Sequence, residues 1–429
     1  MTTQFFVRRG RREDVPSGYQ VFEASSMLST GESDFREAFG AVSTLESDLL
    51  LLAASVFAAD RASQRGERED FYRTIHVSVP ITNISRLLPL RGAIEAVLRK
   101  LSDDGWTIEL RPHEGAGERR RRMPKSRGRT LLFSGGLDSL AAAVEFSSSG
   151  KLQLVSHRTH NNVVTNAQKQ LAEQLVGLGR DVTHHQFFVS SRSGGPSELR
   201  HADESSQRTR SFVFLVLGAL AARRAHHHEV VYLAENGQMA IHLPLNAARI
   251  GAFSTHTARP DVLLAMQDLL SRALGFPLTI TNPYVHRTKR EVIIPITEAL
   301  PEALVVANSC WRNARLPVGI THCGACVPCY VRRVAIESFG SDATAYERDI
   351  FSEDVSALAP TDDGRRNLAD FCEFVIRFST ATNEEIMSNW PELYDDTLDS
   401  GAVIAMYRRF AAEALAVMRN YPRLRAFLQ

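Results

Sequence analysis

The chain has 429 residues, of which 44% are hydrophobic and 23% are charged, and its formal net charge is +1. This length provides a sizeable core and allows two or three domains, and the near-zero charge gives no global sign of nucleic-acid binding. No apolar run approaches the ~20 residues of a membrane span. The first residues, Met1–Arg9, lack the layout of a secretory signal. We therefore expect a cytoplasmic protein without membrane contact.

Residues 1–126 are predicted to form a small N-terminal α/β domain. Apolar periodicity predicts two helices and two strands, at Leu45–Ala62, Phe71–Pro80, Leu87–Leu101 and Trp106–Leu110. We find no catalytic constellation in this part of the sequence. An interaction or substrate-gating platform and a simple structural scaffold remain equal interpretations of it.

A basic run closes this region, with seven Lys or Arg residues between Arg119 and Arg129. A solvated interdomain linker is the favoured interpretation. A contact for RNA, DNA or an acidic partner is the alternative, so nucleic-acid binding stays open.

The most informative stretch is a short apolar run, Thr130–Phe133, followed by a turn of small residues. The turn reads Ser134-Gly135-Gly136-Leu137-Asp138-Ser139, and an alanine-rich apolar helix follows it. A strand, a glycine turn and a helix N-terminus together make an anion site, because backbone N–H groups converge there and glycine lets a phosphate approach. The Lys-Ser/Thr of a Walker loop is absent. An ordinary strand-to-helix turn is the competing interpretation.

From residue 127 to about 340, predicted strands and helices alternate. The strands are Thr130–Phe133, Leu152–Ser156, Asp181–Val189, Glu229–Ala234, Leu278–Asn282 and Ala303–Ala307. The helices are Asp138–Ser148, Val163–Leu178, Gln207–Arg224, Asp261–Leu274 and Lys289–Leu300. This alternation predicts an α/β fold with a doubly wound, mostly parallel sheet, whose ligands bind at the carboxyl ends of the strands.

The segment Ser190–Arg208 is rich in Ser, Gly, Arg and Glu. A loop of this length in a compact domain is often a lid or a binding loop. A disordered surface loop is an equal interpretation.

Four of the five cysteines lie close together in the sequence, at Cys310, Cys323, Cys326 and Cys329. Two-residue spacings let a turn direct several thiolates at one ion, and four thiolates form a closed tetrahedral zinc site. Such a site is structural, because no coordination position is left for water. We favour zinc over an iron–sulfur cluster and over free buried thiols. His322 is surplus if all four cysteines bind.

Residues 341–429 are predicted to form a helical C-terminal extension. Apolar side chains recur through it at helical spacing, and we find no cluster of titratable residues. Packing or partner binding is the role we expect for it.

The turn at Ser134–Ser139 resembles the pyrophosphate loop, SGGxDS, of the PP-loop ATP pyrophosphatase (adenine nucleotide alpha hydrolase-like) superfamily. The Ser-Cys pair and the later Cys-Gly-x-Cys-x-x-Cys followed by Arg are similar to 7-cyano-7-deazaguanine synthase (QueC) of queuosine biosynthesis. The segments Arg208–Leu215 and Thr288–Ile293 also resemble that family. The resemblance covers about residues 128–340, roughly half of the chain.

The resemblance implies a ligase-type enzyme that uses ATP, Mg²⁺ and Zn²⁺. A carboxylate, 7-carboxy-7-deazaguanine or a relative, would be adenylated with release of pyrophosphate, and an amine would then displace AMP. The implied pyrophosphate-binding residues are Ser134, Gly135, Gly136, Leu137 and Ser139. The implied catalytic residues are Asp138, which would position the magnesium or the loop, and Arg210 and Lys289, which would face the phosphates.

The chain also departs from the biosynthetic family. The gap between Cys310 and Cys323 is longer, the stretch from Ala234 to Thr257 is unlike that family's substrate segment, and both terminal regions are additions. This layout looks more like the QueC-like proteins of bacterial antiphage systems, particularly those of the four-protein Qat system. A partner protein could then supply the amine, and a homodimer is possible. A PP-loop tRNA-modifying enzyme and a non-catalytic nucleotide-binding subunit are the alternatives.

Overall fold

The computed structural model describes most of the chain. The described residues are 2–10, 13–66, 71–117, 128–158, 160–191, 204, 206–225, 230–246, 256–313 and 316–428. Most of the basic run Arg119–Arg129, and residues 192–203 and 205 of the predicted lid, lie outside these ranges. The linker and lid hypotheses therefore stay predictions.

A parallel four-stranded sheet forms the N-terminal part of the fold. Its strands are β1 (Thr2–Arg8), β2 (Gln20–Glu23), β4 (Thr74–Ile81) and β5 (Gly105–Pro112), in the order β2-β1-β4-β5. The inward residues are apolar and fully buried, as in Ile75, Val77 and Val79 of β4. This strand and β5 were expected from the alternation of apolar and polar residues.

Helices connect and cover these strands. They are α1 (Glu32–Phe39), α2 (Thr44–Ala62), α3 (Ile84–Leu87) and α4 (Arg91–Ser102). Helix α2 begins at a capping box, in which Ser43 and Glu46 satisfy each other's backbone N–H groups. It is buried on every side from Leu45 to Asp60, because it packs against both β4 and the central sheet.

Within the described ranges, the central sheet has six strands. They are β3 (Leu28–Thr30), β6 (Arg129–Leu132), β7 (Leu152–Arg158), β8 (Val182–Ser191), β9 (Val230–Leu233) and β10 (Thr279–Thr281). The order is β10-β9-β6-β7-β8-β3, parallel except for the edge strand β3. The α/β class and the mostly parallel sheet predicted from the sequence are confirmed.

The connections of this sheet place a crevice beside β6. The connecting helices are α5 (Leu137–Ser147), α6 (Asn162–Gly177), α7 (Arg210–Arg224), α8 (Gly237–Ile241) and α9 (Pro260–Leu274). The strands run outward from β6 in both directions, through β7 and β8 on one side and through β9 and β10 on the other. The loops after β6 and β9 therefore diverge at a topological switch point, where doubly wound sheets bind ligands.

The predicted strand Ala303–Ala307 is wrong. Residues Pro301–Leu304 form a short 3₁₀ helix, and a turn follows it. The carbonyl groups of Leu304 and Ala307 accept hydrogen bonds from the guanidinium of Arg332, which is fully buried. The side chain of Arg332 therefore satisfies backbone carbonyl groups that would otherwise have bonded to a neighbouring strand.

The region 341–429 is helical, as expected, and contains α12 (Asp363–Thr380), α13 (Asn383–Asn389) and α14 (Ser400–Met418). Two helices precede it, α10 (Lys289–Ala299) and α11 (Val327–Glu337). Aromatic side chains fill the core between α11, α12 and α14, among them Phe371, Phe374 and Tyr407. None of the helices in the described ranges is both long enough and apolar enough to cross a membrane.

A buried ionic network joins the N-terminal part to the central sheet. The guanidinium of Arg73 bonds to the carboxylates of Asp60 and Asp104, each at 2.6 Å. The other oxygen of Asp60 accepts from both the backbone N–H and the hydroxyl of Thr209, at 2.9 Å each. Thr209 immediately precedes α7, and Arg208 donates to the carbonyl of Ser102. The start of α7 is thus held by residues of the N-terminal part.

Candidate functional site

The turn after β6 is open toward solvent and supplies an uncapped helix N-terminus. Ser134 is exposed, whereas Gly135, Leu137 and Ser139 are buried. Helix α5 has no side-chain cap in the described residues, so its first backbone N–H groups are not used by a capping side chain. The Ser134 and Ser139 hydroxyls lie 3.2 Å apart. The turn therefore has the polarity and access that a bound anion requires.

Both glycines of the turn are required by its geometry. Gly135 has φ +82°, a conformation that L side chains rarely adopt, and a Cβ there would lie 3.0 Å from the side chain of Gln168. A Cβ on Gly136 would lie 3.1 Å from the carbonyl oxygen of Asn308. The N–H of Asn308 in turn donates to the carbonyl of Gly135 at 2.9 Å. The glycines thus serve packing as well as ligand access.

Asp138 lies in the first turn of α5 and is held by two buried side chains. Its Oδ2 accepts from Lys289 Nζ and from Asn236 Nδ2, each at 2.8 Å. Its Oδ1 is buried and has no hydrogen-bond partner among the described residues. The structure therefore brings Asp138 and Lys289 together, although 151 positions separate them in the sequence.

Local structure explains how these partners converge. Lys289 begins α10, whose start is fixed by a capping box between Thr288 and Glu291. Asn236 follows β9 and caps α8, accepting from the N–H of Met239 with its amide oxygen. Its amide nitrogen is then free to donate to Asp138. The segments that follow β6 and β9 are thus joined by the hydrogen bond between Asn236 and the carboxylate of Asp138.

Glu235 adds a second carboxyl group to this place. Its backbone is clasped by the side chain of Asn282, which accepts from the N–H and donates to the carbonyl. Burial and the negative charge of Asp138 raise the pKa of Glu235 from 4.5 to about 7. The positive charge of Lys289 opposes this shift but is the smaller effect. Neither Glu235 nor Asn236 was identified from the sequence, since a Glu-Asn pair after a strand is not a distinctive motif.

The pKa of Glu235 predicts a pH-dependent penalty on stability. The folded protein keeps this proton to a higher pH than the unfolded chain, so stability falls as the pH rises from about 4.5 to 7. Glu235→Gln removes the ionisation. We expect it to raise the free energy of unfolding by about 3 kcal/mol at pH 8 and by less than about 1 kcal/mol at pH 5.

Urea unfolding at the two pH values measures this difference. Glu302→Gln, at an exposed position, is the matched control. It should leave the free energy of unfolding unchanged at both pH values. An equal gain at pH 5 and pH 8 would contradict the raised pKa of Glu235.

Arg210 lies at the start of α7, beside the end of β7. It is the first residue of α7, and its Nε donates to Nδ1 of His157 at 3.3 Å. Burial and the charge of Arg210 lower the pKa of His157 to about 3, so the imidazole is neutral. Within the described residues, Arg210 shares no hydrogen bond or ion pair with Asp138 or Lys289. It lies at the carboxyl end of β7, next to β6 in the sheet, and its role in facing the phosphates stays a prediction.

The four cysteines converge into one buried cluster that could hold a metal ion. Their sulfur atoms all lie within 4.8 Å of one another, and none forms a disulfide. The Sγ–Sγ distances include 3.4 Å for Cys326–Cys329 and 4.0 Å for Cys323–Cys329. A tetrahedron with metal–sulfur bonds of about 2.3 Å has sulfur atoms about 3.8 Å apart.

His322 supports the cluster without joining it. Its Nε2 accepts from the backbone N–H of Ser309, and its Nδ1 lies 2.8 Å from the hydroxyl of Thr321. Both ring nitrogens are therefore engaged elsewhere. The side-chain oxygen of Asn308 also accepts from the N–H of Cys310, while its backbone holds Gly135. The cysteine cluster and the turn after β6 are thus two hydrogen bonds apart.

Comparison with known proteins adds no family to this geometry. No protein-family model matches the chain, and no curated protein matches it in sequence. The chemistry of the site rests on its own residues: an open turn before α5, the Asp138–Lys289 pair and four clustered thiols.

Proposed function

We propose that this chain is a QueC-like enzyme of the PP-loop class, which uses ATP to adenylate a carboxylate and releases pyrophosphate. The observation that carries the proposal is the position of Asp138. It lies at the N-terminus of α5, beside the glycine turn and at the switch point of the sheet, in contact with Lys289. A doubly wound sheet binds a nucleotide at that point.

In the proposed reaction, the turn binds the β- and γ-phosphates of ATP. The uncapped backbone N–H groups at the start of α5 and the Ser134 and Ser139 hydroxyls would bind the pyrophosphate oxygens. A substrate carboxylate oxygen attacks the α-phosphorus, and the bond from that phosphorus to the β-bridging oxygen breaks. The products are an acyl-adenylate and pyrophosphate. Lys289 stabilises the negative charge that builds on the departing group.

Magnesium fits the residues present. The unpartnered Oδ1 of Asp138 is a hard carboxylate donor beside the proposed phosphate position, and Mg²⁺ prefers one or two carboxylates together with phosphate oxygens. When bound, the ion supplies charge neutralisation on the triphosphate. Glu235 is near enough to Asp138 to feel its charge and could add a second oxygen.

We propose 7-carboxy-7-deazaguanine or a relative as the carboxylate, on the strength of the sequence resemblance. An amine then attacks the acyl carbon and AMP leaves, which gives an amide. Ammonia is the amine in the biosynthetic relatives, where a second ATP drives dehydration to a nitrile. In an antiphage setting, which the layout of the chain favours, the amine belongs to a partner protein.

We propose zinc for the cysteine cluster, in a structural role. Four thiolates from Cys310, Cys323, Cys326 and Cys329 fill a tetrahedral shell and leave no position for water. The ion would fix the segment that carries Asn308, and Asn308 in turn holds Gly135. The metal would therefore stabilise the conformation of the turn Ser134–Ser139 through Asn308.

Isotope transfer tests the reaction directly. The full-length protein is incubated with ATP, Mg²⁺, ammonia and 7-carboxy-7-deazaguanine labelled with ¹⁸O in its carboxylate. Adenylation followed by amine attack leaves one labelled oxygen on AMP, since the acyl carbon–oxygen bond breaks in the second step. Mass spectrometry should find labelled AMP together with pyrophosphate. ADP with phosphate, or AMP without the label, would contradict carboxylate adenylation.

A further inference from the structure

A cavity of about 450 Å³ is lined in part by α8, whose Gln238 lies two residues after Asn236 of the Asp138 site. It is bounded by three separate parts of the fold: the N-terminal part at Phe71 and Asp103, the loop from α8 onward, and the C-terminal helices. This volume falls in the range of small-molecule sites, which are mostly apolar with a few placed polar groups. The proposed function does not yet assign it a role.

Aromatic side chains dominate the cavity wall. They are Phe71, Tyr72, His242, Trp311, Phe371, Phe374, Tyr407 and Phe410. Tyr72 and Trp311 are 60% and 47% exposed, which is unusual for rings of this size. The rings of His242 and Trp311 are nearly parallel, with an interplanar angle of 5°. Such a wall favours a flat ring that can stack on it.

Four buried polar atoms of residues lining the cavity lack hydrogen-bond partners in the described part of the chain. They are Nε2 of Gln238, Nδ1 of His256, Nε of Arg259 and Oε2 of Glu392. Arg259 is nevertheless ion-paired with Asp261 and Asp395, which leaves the other three atoms for a ligand. Burial lowers the pKa of both His242 and His256 to about 4, so these imidazoles are neutral. A buried polar group without a partner is destabilising, and a ligand that bonds to it removes that cost.

Glu392 is held in place by its neighbours. It belongs to a short 3₁₀ helix, Pro391–Tyr394. The preceding Trp390 donates its indole N–H to the carbonyl of Pro244 at 2.8 Å, and Asp395 pairs with Arg259 at 2.6 Å. The C-terminal region is thereby anchored on the loop that follows α8, with a carboxylate at the cavity.

Gln238 connects the cavity to the Asp138 site. Its Oε1 accepts from the backbone N–H of Lys289, while its Nε2 is the unpartnered donor noted above. The side chain of Asn236, two residues earlier, donates to Asp138. Helix α8 therefore follows Asn236 of the proposed phosphate site and contributes Gln238 and Met239, with His242 after its end, to the cavity wall.

We propose that this cavity binds the flat, hydrogen-bonding heterocycle of the molecule whose carboxylate is activated, and that Glu392 accepts N–H groups from the ring edge while Gln238 donates to a ring carbonyl. This proposal rests on the proposed adenylation. It assigns substrate selection to the C-terminal region, which lines the cavity together with α8. An alkylammonium ion would suit the aromatic wall and Glu392, but it has no acceptor for the amide N–H of Gln238.

Equilibrium binding without turnover tests the proposal. Calorimetry is performed on the full-length protein with 7-carboxy-7-deazaguanine, in the presence and absence of α,β-methylene-ATP. Benzoate has a ring and a carboxylate but no N–H edge, and tetramethylammonium probes a cation site. Trp311 is the exposed one of three tryptophans, the others being 4% and 2% exposed, so its fluorescence reports ring stacking independently.

We expect the heterocycle to bind and to quench Trp311 fluorescence, and benzoate to bind far more weakly. Glu392→Gln keeps the shape of the side chain and removes its charge, and it should weaken binding of the heterocycle by about tenfold or more. Glu384→Gln, an exposed position on α13, is the matched control and should bind like the unaltered protein.

Three results would overturn the cavity assignment: no binding of the heterocycle under either condition, equal affinity in Glu392→Gln, or preference for tetramethylammonium. These results are distinguishable from failure of the proposed function. Binding of the heterocycle without labelled AMP would leave the cavity assigned and refute adenylation. Labelled AMP, together with an unchanged affinity of Glu392→Gln for the heterocycle, would support adenylation and refute the cavity assignment.

Discussion

Asp138→Asn is expected to lower the rate of AMP and pyrophosphate formation by about 100- to 1000-fold, the usual effect of removing one electrostatic element from a site. Asparagine keeps the size of the side chain and one oxygen for the hydrogen bonds from Lys289 and Asn236. The negative charge beside the proposed phosphate position is lost. Steady-state assays of pyrophosphate release, together with thermal unfolding, separate this effect from misfolding.

Asp268→Asn is the matched control, because Asp268 is exposed on α9 and pairs with Arg272 of the same helix. It should retain full activity. Full activity in Asp138→Asn would refute the role of Asp138, and the non-catalytic nucleotide-binding subunit would then be favoured.

Asp138→Ala is a poorer test than the sequence suggests. A polar turn outside the core is the setting predicted from the sequence, but Asp138 is only 8% exposed and Lys289 only 6%. Removing the carboxylate would leave a buried ammonium without its partner, at a cost of roughly 3–5 kcal/mol. Loss of activity in that variant would therefore mix catalysis with folding.

Cys326→Ser is expected to abolish stoichiometric metal binding and to destabilise the fold by several kcal/mol, since a structural metal site contributes its binding energy to folding. Cys326 precedes α11 and serves as its N-cap residue, so the loss would loosen the start of this helix. The unaltered protein should contain about one zinc per chain by elemental analysis. Chelation should lower its melting temperature in the same way.

Cys372→Ala is the control for the metal centre, because Cys372 is buried in α12 outside the cluster. It should keep one metal per chain. Iron with acid-labile sulfide, or no metal in the unaltered protein, would contradict the zinc assignment.

The central sheet was predictable because its strands are short apolar runs separated by amphipathic helices, a pattern with one dominant topology. The cysteine cluster was predictable because its spacing is distinctive. The edge strand β3, Leu28–Thr30, was not, since three residues carry no usable periodicity and their partner, β8, lies about 160 positions later. Pairing between strands that are so far apart in the sequence is decided by tertiary packing.

The site itself was only half predictable. Its glycine turn has a recognisable pattern, and Lys289 was found by resemblance. The contacts made by Asn236, Glu235 and Asn308 depend on how loops from distant parts of the chain meet, and no local signal marks them. The basic run and the predicted lid lie largely outside the described residues, so those two hypotheses stand as they were.

The buried network around Asp60 bears on how this protein can be divided for experiments. The resemblance to a known enzyme class begins near residue 128, which suggests a minimal fragment starting there. Such a fragment would lose Asp60, the acceptor for the N–H and hydroxyl of Thr209, and would strip the partner strand from the edge of β8. An unpaired strand edge and orphaned buried donors promote aggregation. The first hundred residues therefore hold the start of α7 and cover the edge of β8, and we expect a fragment that begins near residue 128 to stay soluble only when they are co-expressed with it.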